Sequence, residues 1–212
     1  MKILMASVEP EDAKLGRDIG AHGIITNPSV LAAAGAIWRE KLGKAAEILP
    51  GPIHLQLTEE SEDSMIKQAV EFREIAGERL VVKICITRTG LAVMRELQHR
   101  GLAVDITAIV TLNQAAVAAQ AGADYLAVYM GRVDRFGEDG SALIGEIRRY
   151  LDLHGFAARI VAASVQNRLH FKNASLFGAH YAACPPGLVS SLISHPVTDQ
   201  SISSFKEEWE RM

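Results

Sequence analysis

Lys83 is the residue whose setting is hardest to explain without chemistry. It sits inside Leu80-Val81-Val82-Lys83-Ile84-Cys85-Ile86, an apolar, β-branched run that reads as a strand. Alternation with a period of two puts it on one face with Val81 and Cys85. One reading is an edge-strand lysine whose ammonium reaches water past its neighbours. The other is a desolvated amine, because apolar surroundings favour the uncharged form that attacks a ketone or aldehyde carbonyl and yields a Schiff base.

Polar residues that could work with such an amine recur at the ends of other apolar runs. Asn27 follows the second run, Gln56 ends the third, Asp105 and Thr107 lie in the fifth, Tyr129 ends the sixth and Ser164 follows the seventh. Each alone has a plain structural reading: Asn27 before Pro28 makes a turn, Thr107 forms strand, Tyr129 fills a core, Ser164 caps a helix and Asp105 ends a strand-entry turn. Their shared placement at the same end of successive runs is what points to a site. The seven histidines, His22, His54, His99 and His195 among them, show no HExxH or other ligand spacing and read as turns, surfaces or satisfied core groups. No metal site and no cofactor motif is legible, since neither GxGxxG nor GxxxxGK[ST] occurs.

The elements that must position these residues are eight apolar runs: Lys2–Ser7, His22–Thr26, Pro52–Leu57, Leu80–Ile86, Leu102–Val110, Ala123–Tyr129, Ala158–Ala163 and His180–Cys184. Helical stretches separate them. Ser61 to Ala76, for instance, opens on a Ser-x-x-Ser cap and carries Met65, Ile66, Ala69, Val70, Phe72 and Ile75 on one face. Gly43, Gly77, Gly101, Gly122, Gly155 and Gly178 are expected near helix ends. This βα alternation predicts an α/β protein, a single-domain (β/α)8 TIM barrel over residues 1–212, with an open doubly wound sheet as the alternative. The segment Gly131–Gly140, rich in charge and glycine, is expected as a loop over the mouth, either a closing lid or a solvated turn. Trp38 and Trp209 read as packing anchors.

A chain of 212 residues, 49% hydrophobic and 22% charged, fits one domain with one large core. Its net charge, 22 − 25 = −3, offers no global basic field, so nucleic acid and anionic membranes are not expected partners. The most apolar long region, Thr107 to Met130, is interrupted by Asn113, Gln114, Gln120 and Asp124 and does not read as a membrane span. Met1–Ala6 is too short for a signal peptide, and the isolated Cys85 and Cys184 read as reduced thiols; a cytoplasmic location is expected.

Several of these segments resemble a known family. Gly23-Ile24-Ile25-Thr26-Asn27-Pro28-Ser29 resembles the GVTTNPS segment of transaldolases and fructose-6-phosphate aldolases, and Val81-Val82-Lys83-Ile84 with Thr87 and Gly90-Leu91 resembles their VVKVPVT-x-x-GL strand. Thr107-Ala108 with Gln114, then Ala121-Gly122-Ala123-Asp124-Tyr125, Tyr129, Arg132 and Asp134, are similar to TA…Q…AGAEYVAPYVNRID. Ala162-Ala163-Ser164 matches AAS, and Ile193-Ser194-His195-Pro196 with Phe205 and Trp209 resembles the tail of the short bacterial subfamily.

The resemblance implies a class I mechanism. Lys83 attacks the ketose C2 carbonyl and loses water to form an iminium, which draws electrons as the C3–C4 bond breaks. The enamine left behind either takes a proton or attacks a new aldehyde. By the same resemblance Gln56, Thr107 and Tyr129 hold the water used in proton transfer and Asn27, beside Thr26, orients the carbon skeleton. Arg132 with Ser164 receives a phosphate, which a guanidinium fork suits; otherwise Arg132 is a surface arginine paired to Asp134. A homo-oligomer, pentamer or decamer, is implied too, with the helical tail at residues 200–212 packing on a neighbouring subunit.

Three positions depart from the pattern. The family's strand-one aspartate, in a YLDT or FLDT segment, aligns with Ala6; the first threonine of TTNP is Ile25; and the basic residue two positions after the strand-seven serine is Gln166. Arg168 stands near enough in sequence to restore the lost charge. Asp105, two residues before Thr107 and on its strand face, is a candidate replacement for the missing carboxylate, either in proton transfer or in pairing with the iminium. These departures leave room for an enamine-dependent isomerisation, an atypical aldol substrate, or a barrel that binds sugar without catalysis.

Overall fold

A computed structural model describes every residue from Met1 to Met212. Each apolar run becomes a strand: β1 (Lys2–Met5), β2 (Gly23–Ile25), β3 (Ile53–Gln56), β4 (Leu80–Cys85), β5 (Ala103–Ile109), β6 (Tyr125–Tyr129), β7 (Arg159–Ala163) and β8 (Tyr181–Cys184). They pair in parallel in chain order, and β8 returns to β1, so the sheet closes into a barrel and the open alternative falls away. The helices are α1 (Pro10–Asp18), α2 (Pro28–Ala34), α3 (Trp38–Ile48), α4 (Glu62–Ala76), α5 (Arg88–His99), α6 (Leu112–Gln120), α7 (Met130–Arg135), α8 (Gly140–His154), α9 (Arg168–Leu176), α10 (Pro186–Leu192) and α11 (Pro196–Glu210).

Local chemistry sets the boundaries. Asn27, Ser61, Thr87, Thr111, Asp139 and Asn167 each accept a backbone N–H in the first turn of the following helix, which fixes where those helices begin. Five of the six glycines expected at helix ends have positive φ, between 61° and 98°. Gly43 does not: it lies within α3, whose apolar period runs straight across it from Leu42 to Ala45. Val70 likewise leaves the expected α4 stripe and is exposed.

Two apolar cores result. The larger lies between the sheet and its helices. The smaller fills the barrel, where Leu4, Val81, Tyr125 and Tyr181 meet. Tyr125 and Tyr181, the first residues of their strands, put bulk at the floor, their rings edge to face at 5.7 Å. Alanines Ala6, Ala163 and Ala183, at or just after strand ends, leave the opposite end open. Interior volume is thus left at the carboxyl ends of the strands, where βα loops gather.

The segment expected as a mouth loop is partly helical. Met130, Gly131 and Val133 of α7 are buried, and Asp134 accepts the Gly140 N–H at 2.8 Å, closing a tight corner before α8. Four residues, Phe136–Asp139, remain as a turn.

Candidate active site

Lys83 is 3% exposed and stands inside the barrel rather than at an edge. Its Nζ has two long contacts, to the Thr26 carbonyl at 3.4 Å and to Gln56 Oε1 at 3.5 Å. Both contacts follow from register, since Gln56 is the β3 partner of Lys83 and Thr26 continues β2. The amine therefore has weak protein partners and faces a cavity of about 290 Å3 at the barrel mouth.

The sequence candidates separate into those that line the cavity and those that do not. Thr26, Asn27, Tyr129, Arg132, Ser164 and Gln166 line the cavity with Lys83. Thr26 contributes its backbone, because its hydroxyl is tied to the His54 carbonyl at 3.0 Å. Asn27 is both the turn residue and a wall residue: its Oδ1 caps α2 through the Val30 N–H at 2.9 Å, which fixes the amide and leaves its NH2 without a protein partner. The Arg132 guanidinium stacks over the Tyr129 ring at 4.5 Å and is not paired with Asp134, which instead meets His170 at 3.0 Å.

Ser164 has φ 58°, a left-handed conformation rare outside glycine, at the point where β7 leaves the sheet. Only a glycine fits opposite: a Cβ on Gly131 would meet the Ser164 carbonyl oxygen at 2.3 Å. The start of α7 thereby presses against the end of β7 and brings Arg132 beside Ser164. Arg135, which sequence reasoning passed over, lines the same cavity one turn further along α7. Its signal is the i, i+3 spacing from Arg132, which puts the two on one face only when the segment is helical. Arg168 is not among the cavity-lining residues; from the start of α9 it donates to the Ser194 carbonyl, beyond α10, at 3.2 Å.

Gln56, Thr107 and Asp105 are not among the cavity-lining residues, Gln56 being half-buried and the other two fully buried. Gln56 bridges Lys83 and Cys85, its Nε2 lying 3.8 Å from the Cys85 sulfur. Thr107 is fully buried with a hydroxyl that has no partner. Asp105, also fully buried, binds His54 Nδ1 at 3.0 Å. Burial pushes the Tyr125 phenol above its ordinary value, with the neighbouring Tyr181 adding to the shift. No carboxylate lines the cavity, and Ala6 occupies its β1 wall.

The family model described as transaldolase/fructose-6-phosphate aldolase matches residues 11–212. A probable transaldolase 1 of Bacillus cereus is 33% identical over all of this chain and 98% of its own length. A probable transaldolase of Geotalea daltonii is 33% identical over 100% of this chain and 99% of its own. Among solved structures, mandelate oxidase with (S)-2-phenylpropionate superposes with TM-score 0.60 at 15% identity, covering 92% of this chain and 67% of that one. A mandelate oxidase variant gives TM-score 0.58 at 17% identity over 88% and 65%. The chain spans about two thirds of the length of these oxidases, and at such identity the likeness concerns the barrel alone. The full-length match to the transaldolases is of another order, and the chain belongs to the transaldolase/fructose-6-phosphate aldolase family, a family of class I enzymes that work through a Schiff base.

Proposed function

We propose that Lys83 is the Schiff-base nucleophile and that the cavity above it holds a ketose phosphate. The observation that carries this reading is a buried lysine with only two long contacts, opening on a cavity that also presents two guanidinium groups. The amine adds to the C2 carbonyl, and loss of water gives the iminium. Cleavage of C3–C4 sends its electron pair into the iminium nitrogen while the C4 hydroxyl gives up its proton, releasing an aldehyde. The enamine left on Lys83 attacks a second aldehyde, regenerating the iminium, which water hydrolyses; the names of the relatives favour this transfer over simple cleavage.

The wall supports roles for its other members. The free NH2 of Asn27 is placed to donate to a substrate hydroxyl, and Tyr129, with Gln56 and Thr107, is placed to hold the proton-carrying water. Arg132, Arg135 and Ser164 form the anion-receiving corner at the end of β7, where barrels commonly bind phosphate. A second reading, in which the iminium forms but the carbon–carbon bond stays intact, is favoured by the absence of any carboxylate from the cavity wall. We also read the protein as a homo-oligomer, with α11 covering a second copy of the chain.

Borohydride reduction in the presence of dihydroxyacetone, hydroxyacetone or fructose 6-phosphate, read by mass spectrometry, tests the core of the proposal. The expected result is one adduct, on Lys83, lost in Lys83→Arg. Adducts confined to other lysines, or full turnover by Lys83→Arg, would overturn it. Trapping without release of aldehyde would select the second reading.

A further inference from the structure

Behind the reacting amine lies a charge that the mechanism above leaves unused. Asp105 is the only acidic residue in any of the eight strands. It is fully buried, as is His54. His54 Nδ1 lies 3.0 Å from Asp105 Oδ2, and since a carboxylate can only accept, the pairing requires the Nδ1–H tautomer of His54. The pair reaches across β4: His54 is the β3 partner of Val81, whereas Asp105 is the β5 partner of Lys83 itself. Asp105 Oδ1 and His54 Nε2 have no partner.

One hydrogen bond is poor compensation for a carboxylate taken wholly out of water. A cation in the same layer would supply the rest, and Lys83 is the basic residue that register places beside it. The two do not form a direct ion pair, but charge acts over longer distances in an interior of low polarity. Asp105 is absent from the cavity wall, so it does not touch a substrate. Of its two expected tasks, the geometry favours balancing charge over moving protons.

We propose that the buried His54–Asp105 pair is the counter-charge of the Lys83 cation, first as ammonium and then as iminium. The proposal rests on Lys83 being the nucleophile. Asp105 is a positioning residue that acts through Lys83, and His54 holds its carboxylate in place through the Nδ1 hydrogen bond. The strand-one wall at Ala6 is then uncharged because the negative charge has moved to the opposite side of the lysine strand. The other titratable groups facing the interior are Cys85 on β4, Tyr125 and Tyr129 on β6, and Tyr181 on β8. The nearest fixed charges are Arg132 and Arg135 at the mouth and Arg159 at the floor. On β1, Lys2 shares the strand face of Leu4 and meets His22, just before β2, at 3.3 Å, so both belong with Arg159 at the floor.

Trace acetylation of the full chain across a pH series, with Lys83 followed by mass spectrometry, reads the balance between its ammonium and amine. In Asp105→Asn the midpoint of Lys83 acetylation moves down by about one pH unit or more, the effect of removing an opposite charge nearby. His54→Phe, which leaves the carboxylate without a donor, moves it the same way. His54→Asn, which restores an N–H near the Nδ1 position, keeps it near the wild-type value. An unmoved midpoint in Asp105→Asn, or equal shifts in both His54 variants, would overturn the proposal. The two His54 variants read the same coupling if Asp105→Asn does not fold. Failure of Lys83 as nucleophile would show separately, as carbonyl adducts on other lysines.

Discussion

At the scale of single residues, the site is legible where backbone and side chain agree and obscure where a partner lies far off in sequence. Lys83 stands out because a charge inside an apolar run has no local rationale. Asn27, Tyr129, Arg132 and Ser164 follow from their places at strand ends. Arg135 and Arg168 show the opposite case: both are arginines near Ser164 in sequence or space, yet a helical turn brings Arg135 to the cavity while Arg168 turns to Ser194. The placement yields a test. If Arg135 restores the cation missing at Gln166, Arg135→Gln raises the KM for a phosphorylated ketose by about tenfold or more, the loss of one charge-assisted contact, with less effect on kcat. Arg168→Gln leaves both near wild type. An equal loss in Arg135→Gln with a non-phosphorylated ketone such as dihydroxyacetone would show that Arg135 does not read phosphate. His54 was unreadable for a different reason: its partner is 51 residues away, and only register across β4 brings them together.

Among the elements, strands were the clearest, since each closes on apolar runs that no helix period fits. What no sequence pattern announced were two left-handed residues without glycine, Ala108 at φ 63° and Ser164 at φ 58°. Ala108 sits in a bulge where β5 slips against β6 between Ile106 and Ile109, directly after Thr107. Such conformations are held by surrounding packing and leave no mark in the residue type. At Ser164 the packing is the contact with Gly131. Gly131→Ala places a methyl 2.3 Å from the Ser164 oxygen and 3.1 Å from Gln166 Cδ, so α7 and the end of β7 must separate. The expected cost is about 1–3 kcal/mol of stability. Because Arg132 and Arg135 both ride on α7, kcat/KM falls by about a hundredfold, as displacements near 1 Å commonly do. Thermal melting and steady-state rates check this; a variant destabilised but fully active would mean that the junction matters only for folding.

For the whole molecule, 212 residues divided among eight βα units leave no room for a long lid, so the cavity is shaped by strand ends and the short α7. The one element that adds nothing to its own barrel is α11. None of its residues is buried, and Val197, Ile202, Phe205 and Trp209 are all exposed, Phe205 by 66% and Trp209 by 73%. Trp209 is thus no packing anchor within its own chain, unlike Trp38, which meets Phe72 edge to face. Burying side chains of this size is worth about 1.5–3 kcal/mol each, so a helix carrying four of them is stabilised far better against an apolar surface than in water. A second copy of the chain presents Leu169, Leu176, Phe177 and Ile193 as exposed apolar groups of its own. The expected outcome is that native mass spectrometry at micromolar protein shows an oligomer with little free 23.0 kDa chain. The double change Phe205→Ser and Trp209→Ser, confined to exposed positions, should release monomer that keeps a folded barrel by circular dichroism. A wild-type chain that runs as monomer throughout, or a double variant whose assembly is undiminished, would remove α11 from the interface and leave its apolar face to be explained by some other surface.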